Sequence, residues 1–496
     1  MVLRHGNKIK KCLFICIIHN LIVSLHTKTC AKLSQKLIYF ARISMPKKSL
    51  DRREFLKRLG IGAGSAMVMM GLDPIQSLAS PLLSKKSSKT DDASKNAMTY
   101  RVQHNSGEHI SLLGFGMMRL PNDQAAVNEL VDYAISHGVN YFDTAPMYMG
   151  GQSEVLTGEA LSRYPRDKYY VATKMSNQNG RLWSFDASKA LYEKSMERLK
   201  VDYIDYYLLH SIGGGMDSLK GRFLDNGILD FLLKEREAGR IKHLGFSYHG
   251  DVRDFDWLLD RHDEYKWDFV QIQMNFLDWR HASIRQGRRH DADAEYLYGK
   301  LESLGIQCVI MEPLRGGAFG RMAQELTDQL KAVRPDDSTA RWAFRWVGSY
   351  PNVLTTLSGM NRMDHLIDNV KTFSPLEPCT EAENKLLEKI ADQMAGYPTI
   401  PCTTCEYCMP CPYGVNIPGN FSFHNNAVNE HLLPLPDKDA ANYAEMKEKF
   451  TAQYFAALPA EARATQCMDC EECLPKCPQQ IRIPNQLSRI VELLRK

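Results

Sequence analysis

The stretch AAVNELVDYAISHGVNYFDTA, residues 125–145, changes character at Val139. Residues 125–138 carry a helical pattern of apolar residues. Residues 139–145 then read as a short apolar strand. The same alternation continues along the chain. Further strands are YYVATKM (169–175), IDYYLLH (204–210), IKHLGFS (241–247), FVQIQMN (269–275), QCVIMEP (307–313) and VLTTLSG (353–359). Helical patterns such as DASKALYEKSMERLK (186–200) lie between them. With the opening GFGMMRLP (114–121), eight strands fall within residues 98–375. Repeated strand–helix units over roughly 280 residues predict an α/β fold with a closed parallel barrel, active residues lying at strand C-termini. An open doubly wound sheet is the alternative. No G-x-G-x-x-G follows a first strand, which weighs against it.

Polar residues collect at those strand ends. Asp143 follows VNYF, Tyr148 lies five residues on, Lys174 comes near the end of YYVATKM, and His210 ends IDYYLLH. Singly, such an Asp reads as a helix cap, such a His as a satisfied core residue and such a Lys as a solvated side chain. Together, at the ends of successive strands, they read as a site.

FDTAPMY, VATKM and LLH, followed by GFS and VQIQMN, make residues 98–375 resemble the aldo-keto reductase family. That resemblance implies a TIM (β/α)8 barrel that interconverts carbonyls and alcohols with NAD(P)(H). It also implies a catalytic tetrad of Asp143, Tyr148, Lys174 and His210. The chemistry accounts for those types. Hydride addition builds negative charge on the carbonyl oxygen, so a proton donor must stand beside it. Tyr148 is the expected general acid and base. A free tyrosine titrates near ~10, and Lys174 is expected to lower that value, with Asp143 holding Lys174 charged. His210 is expected to orient the oxygen. The resemblance further implies that Ser247 and Gln271 contact the nicotinamide amide. Met311 stands where many members carry a stacking aromatic. Gly359, Asn361 and Asn369 are expected near the cofactor. Arg362 is the one arginine or lysine in SGMNRMDHLIDN (358–369), so the choice between NAD and NADP is open.

Eight of the 13 cysteines fall in two runs: Cys402, Cys405, Cys408 and Cys411, then Cys467, Cys470, Cys473 and Cys477. The second, CMDCEECLPKCP, has the C-x2-C-x2-C-x3-C-P spacing that holds a [4Fe–4S] cluster in bacterial ferredoxins. The first, CTTCEYCMPCP, has one residue fewer before its last cysteine. Both continue alike, to Ile417-Pro418 and Ile483-Pro484, which makes them an internal repeat. In two-cluster ferredoxins the fourth cysteine of each run ligates the other cluster. Two [4Fe–4S] clusters are therefore expected. One is on Cys402, Cys405, Cys408 and Cys477, the other on Cys467, Cys470, Cys473 and Cys411, with the shortened spacing before Cys411 leaving the crossing open. Zinc is the alternative, because paired C-x2-C is also a zinc pattern. Disulfides suit such spacing poorly. Cys308 and Cys379 read as plain buried residues. Between the runs, residues 421–466 read as a helical insertion, so the second domain, residues 399–496, is expected to be mainly helical, interrupted and ferredoxin-like. Residues 376–398 read as a helical linker. A barrel with this extension resembles the iron–sulfur branch of bacterial aldo-keto reductases.

The 496-residue chain carries a net charge of +4 and no long basic run, so no nucleic-acid partner is expected. Residues 45–79 contain Arg52-Arg53, a modest apolar run and Ser77-Leu78-Ala79, and resemble a twin-arginine (Tat) signal peptide. An ordinary amphipathic leader is the other reading. Residues 1–44 hold an apolar patch, CLFICIIHNLIVSL, and read as an over-extended start or as a membrane anchor. Residues 80–97 read as a flexible linker. The expected partners are a small carbonyl or alcohol substrate, the Tat export machinery and an electron-transfer partner. The expected location is periplasmic or membrane-associated, or cytoplasmic if the signal is unused. Two functions stand against each other: a nicotinamide-dependent carbonyl reductase, or an iron–sulfur electron-transfer protein whose barrel is a docking or non-nicotinamide redox domain. Nicotinamide moves electrons in pairs and a cluster singly, and no flavin motif bridges them.

Overall fold

The structure, a computed structural model, describes residues 97–286, 292–434 and 441–495, with the side chains of 283–286 excepted. The apolar patch, the twin arginine and the linker up to residue 96 lie outside the described residues. Among those described, no helix is long and apolar enough to cross a membrane.

The chain opens with a hairpin, β1 (Tyr100–Val102) against β2 (His109–Ser111). Eight parallel strands then close a barrel. They are β3 (Leu113–Gly116), β4 (Tyr141–Asp143), β5 (Tyr170–Met175), β6 (Ile204–Ile212), β7 (Ile241–Tyr248), β8 (Phe269–Gln273), β9 (Gln307–Met311) and β10 (Val353–Ser358). Each pairs with the next in sequence, and β10 returns to β3. The alternating pattern thus forms the closed barrel and not the open sheet. A closed barrel leaves no unpaired edge, so every strand can be apolar on both faces.

Outward side chains such as Phe142, Val171, Leu209 and Phe246 pack beneath the surrounding helices in one continuous core. The hairpin plugs the N-terminal end: Ile110 is buried among the inward residues Tyr141, Tyr206 and Phe269. Polar contacts hold the plug. The amide of Gln307 donates to the Val102 carbonyl at 3.0 Å, and Glu108 meets His243 Nε2 at 2.8 Å.

The helix Glu381–Ala395 buries Leu387, Ile390 and Ala391 in the barrel core. Thr380 and Glu383 form a reciprocal cap at its start. The Glu383 carboxylate also receives two bonds of 2.9 Å from buried Arg345.

Beyond it, a second core contains Ile400, Val415, Ile417, Phe421, Tyr454, Ile481, Ile483 and Leu487. The sequence repeat is also a backbone repeat. Thr404 and Glu406 in the first run, and Asp469 and Glu471 in the second, all have positive φ, at equivalent places between the cysteines. Each run leads to a helix with proline in its first turn, Ile417–Asn429 and Ile483–Leu494. The helix Tyr443–Ala457 lies between them in sequence and buries Phe450 and Tyr454.

Candidate active site

Successive strand residues point to opposite faces, so alternation decides which side chains meet inside the barrel. Tyr141, Ala172, Tyr206, Leu208 and Phe269 form an apolar layer with Val309 and Leu354. Two residues toward the strand C-termini from Tyr141, Ala172, Leu208 and Phe269 stand Asp143, Lys174, His210 and Gln271. Ser247 joins this layer from β7, in register with Gln271. The expected site is therefore one polar layer resting on one apolar layer.

Lys174 is fully buried. Its ammonium donates to the Asp143 carboxylate and, at 2.8 Å, to the Thr144 carbonyl. Burial pushes the Asp143 carboxyl up and the Lys174 ammonium down, each opposed by the partner's charge. Tyr148 is returned over this pair by a turn in which Met149, Gly150 and Gly151 have positive φ. The Lys174 nitrogen lies 4.9 Å from the centre of the Tyr148 ring. His210 meets that ring edge-on, with centroids 5.9 Å apart.

One electrostatic expectation is revised. Burial, reinforced by the Asp143 charge, raises the Tyr148 phenol well above the ordinary tyrosine value. A hydrogen bond from Tyr407 and the charge of Arg119 oppose the rise. The Lys174 ammonium lies beside the ring, but burial prevails and the net shift of the phenol is upward.

His210 is held well below the ordinary histidine value by burial, with the charges of Lys174 and Arg222 adding to the effect. Its ring is therefore neutral near pH 7. Ser176 Oγ lies 2.6 Å from His210 Nδ1. With the serine hydroxyl donating there, Nε2 carries the ring proton.

A cavity of about 700 Å³ opens above the polar layer. Asp143, Tyr148, His210, Ser247, Gln271, Met311, Gly359, Asn361 and Asn369 all line it, while Lys174 sits behind its wall. Several of the groups expected at the cofactor already hold protein partners. The Gln271 amide donates to Asp143 at 3.3 Å, and Ser247 Oγ accepts from the Ser211 amide at 2.8 Å. The side chain of Asn369 donates to Ser358 Oγ at 2.9 Å. Arg362 is exposed and paired with Asp364, which itself lines the cavity.

Sequence reasoning missed the far side of this cavity. Arg119, His249 and Glu312 line it, as do Thr403, Thr404, Cys405, Tyr407 and Gln479 from the cysteine-rich domain. Arg119 and Glu312 lie inside the quoted stretches GFGMMRLP and QCVIMEP but carried no spacing signal. Tyr407 carries no signal in the sequence beyond its place between Cys405 and Cys408. The two domains are stitched at the cavity rim. Arg119 Nη2 donates to the Thr403 carbonyl at 2.8 Å, and the Gln479 amide donates to Gln273 at 2.8 Å.

The cysteines surround two further, smaller cavities. Cys402, Cys405, Cys408 and Cys477 line one. Cys411, Cys467, Cys470 and Cys473 line the other, with Cys408 on the shared side. Burial pushes the Cys405 and Cys408 thiols up to about 12 and those of Cys402 and Cys473 to about 11. Such thiols ionise near neutral pH only when bound metal supplies compensating charge. Among the described residues, no three His, Cys, Asp or Glu side chains converge on a point that could hold a single ion. Thiols set around a cavity suit a cluster better than one zinc with four sulfurs at about 2.3 Å.

Comparison with known proteins agrees with this division. Residues 112–392 match the aldo/keto reductase family model, and residues 401–482 match the 4Fe-4S dicluster domain. An uncharacterized oxidoreductase of Bacillus subtilis, YqkF, is 28% identical over 303 residues, covering 57% of this chain and 94% of its own. L-galactose dehydrogenase of Arabidopsis thaliana is 25% identical over 303 residues, covering 56% and 88%. Among solved structures, an aldo-keto reductase from Bacillus halodurans aligns with a TM-score of 0.48 at 24% identity, covering 59% of this chain and 96% of its own. The first family model spans more than half of the sequence, and the chain belongs to the aldo/keto reductase family, its barrel followed by a 4Fe-4S dicluster domain.

Proposed function

We propose that the protein interconverts a carbonyl and an alcohol using NADPH or NADH, with Tyr148 as general acid and base, and that its second domain carries two [4Fe–4S] clusters. One observation carries the reading: Asp143, Tyr148 and His210 face a single cavity, with Lys174 buried behind Asp143. The bound nicotinamide supplies the hydride. The chain's own residues do the rest. Neutral His210 presents Nε2–H to the carbonyl oxygen and fixes its orientation. Tyr148 delivers the proton that the developing alkoxide needs. Lys174, clamped between Asp143 and the Thr144 carbonyl, puts positive charge beneath the Tyr148 ring as the phenol becomes phenolate. Ser247 and Gln271 offer polar groups to the nicotinamide amide. The buried walls exclude water and strengthen each of these interactions.

For the clusters, the crossed arrangement is favoured. Cys477 stands with the first three cysteines of the first run, and Cys411 with those of the second.

The second reading, an electron-transfer protein, keeps one supporting observation. Cys405 lines the same cavity as Tyr148. The test is the visible spectrum of anaerobically purified protein before and after adding NADPH, then NADH. Consumption of nucleotide with a test aldehyde and an unchanged iron–sulfur band supports the self-contained reductase. Bleaching of the band means that nicotinamide electrons reach the clusters. Activity with a viologen donor and none with either nucleotide would overturn the first reading.

Export through the twin-arginine route is part of the proposal, resting on the segment around Arg52-Arg53. Fractionation of cells expressing wild type and the Arg52→Lys/Arg53→Lys variant tests it. Equal distribution of the two would remove the reading.

A further inference from the structure

The first cysteine run reaches into the carbonyl site. Thr403, Thr404, Cys405 and Tyr407 form part of the wall facing Asp143 and His210. The run is held there by the Arg119–Thr403 bond, and the segment after the second run is tied to the barrel by the Gln479–Gln273 bond. It also approaches the barrel so closely that a Cβ at Gly316 would lie 2.2 Å from the Thr403 carbonyl oxygen. Glu406, with φ 64°, turns the chain between two cysteines just before Tyr407. From that position Tyr407 lines the same cavity as Tyr148, and the two phenols are hydrogen-bond partners there.

We propose that Tyr407 is a positioning residue for Tyr148, so that the cluster-binding loop completes the active site of the barrel. The inference rests on the reading of Tyr148 as the proton donor. As Tyr148 gives up its proton its oxygen becomes anionic, and a bond that was neutral becomes charge-assisted and stronger. An interaction that strengthens toward the transition state raises kcat and leaves substrate binding little changed. It also fixes the position of the Tyr148 oxygen at the end of a turn built on left-handed residues. The arrangement makes the second domain a working wall of the site.

The test compares wild type, Tyr148→Phe and Tyr407→Phe as anaerobically purified holoproteins. Iron content, nucleotide binding by fluorescence titration, and kcat and KM for a test aldehyde are read for each. The expected result is that Tyr407→Phe keeps its iron and its nucleotide affinity, while kcat falls about tenfold and KM stays within about twofold. Unchanged kcat in Tyr407→Phe, with Tyr148→Phe inactive, would overturn the proposal and leave the reductase reading standing. An inert wild type, or a fully active Tyr148→Phe, would overturn both. If Tyr407→Phe loses iron, 3-fluorotyrosine at position 407 decides the matter. A stronger donor that raises kcat supports the role, and indifference to donor strength refutes it.

Discussion

Two adjacent glycines allow the contact between the cluster loop and the barrel to be measured by difference. Gly316 and Gly317 have φ of +64° and +82°. An alanine at either must adopt the left-handed conformation, which costs about 1–2 kcal/mol. There the similarity ends. A Cβ on Gly317 meets nothing within 4 Å, whereas one on Gly316 lies 2.2 Å from the Thr403 oxygen and 2.6 Å from its carbonyl carbon. Those are backbone atoms, so no rotamer change relieves the overlap, and overpacking of this kind adds about 1–3 kcal/mol. Gly317→Ala should therefore destabilise by about 1–2 kcal/mol and Gly316→Ala by about 2–5 kcal/mol. The assay is anaerobic urea unfolding followed by far-ultraviolet dichroism and by the iron–sulfur absorption. Gly316→Ala should also lower aldehyde turnover, because the displaced Thr403 moves the loop that carries Tyr407; Gly317→Ala should not. Equal midpoints and equal turnover in the two variants would refute the seating of the loop on the barrel.

Lys174→Met leaves Asp143 buried without its cation; unfolding free energy should fall by about 3–5 kcal/mol and turnover of a test aldehyde by at least about a hundredfold. Unchanged stability would show that the pair is not a buried one. At the plugged end of the barrel, burial works to lower the His243 pKa, but the Glu108 carboxylate at 2.8 Å and the Asp268 carboxylate 3.9 Å away prevail and hold it up at about 9, above the ordinary 6.5. The stabilisation is thus fully present below pH 6.5 and is lost as pH rises through 9, about 3 kcal/mol in all. Urea unfolding from pH 6 to 10 should show that decline in wild type and a flatter profile in His243→Gln; identical profiles would sink the assignment. For the cysteines, Cys405→Ser and Cys477→Ser should alter the same paramagnetic signal of the reduced protein, and Cys411→Ser the signal shared with Cys470→Ser. Cys477→Ser altering the Cys470 signal would rule out the crossed arrangement.

Much of this molecule is written in local order. The change of period at Val139 and its recurrence predict the barrel, because helix and strand bury apolar faces at different spacings. Alternation along each strand then stacks Asp143, Lys174 and His210 one layer above Tyr141, Ala172 and Leu208, so those three are legible from strand ends, while Tyr148 comes from the turn beyond β4. The cysteine runs are legible for the same reason: metal ligands close in sequence need only a tight turn to converge. What the sequence could not supply is contact between groups far apart along the chain. Tyr407 stands 259 positions after Tyr148, and no local pattern marks it as a neighbour. The closeness of Thr403 to Gly316, the Arg119 bond across the rim and the upward shift of Tyr148 arise only when the second domain packs onto the barrel mouth. Burial and charge are sums over everything nearby in space, so the proton affinity of the Tyr148 phenol was decided by the tertiary structure, while the identity of that phenol was decided by the sequence.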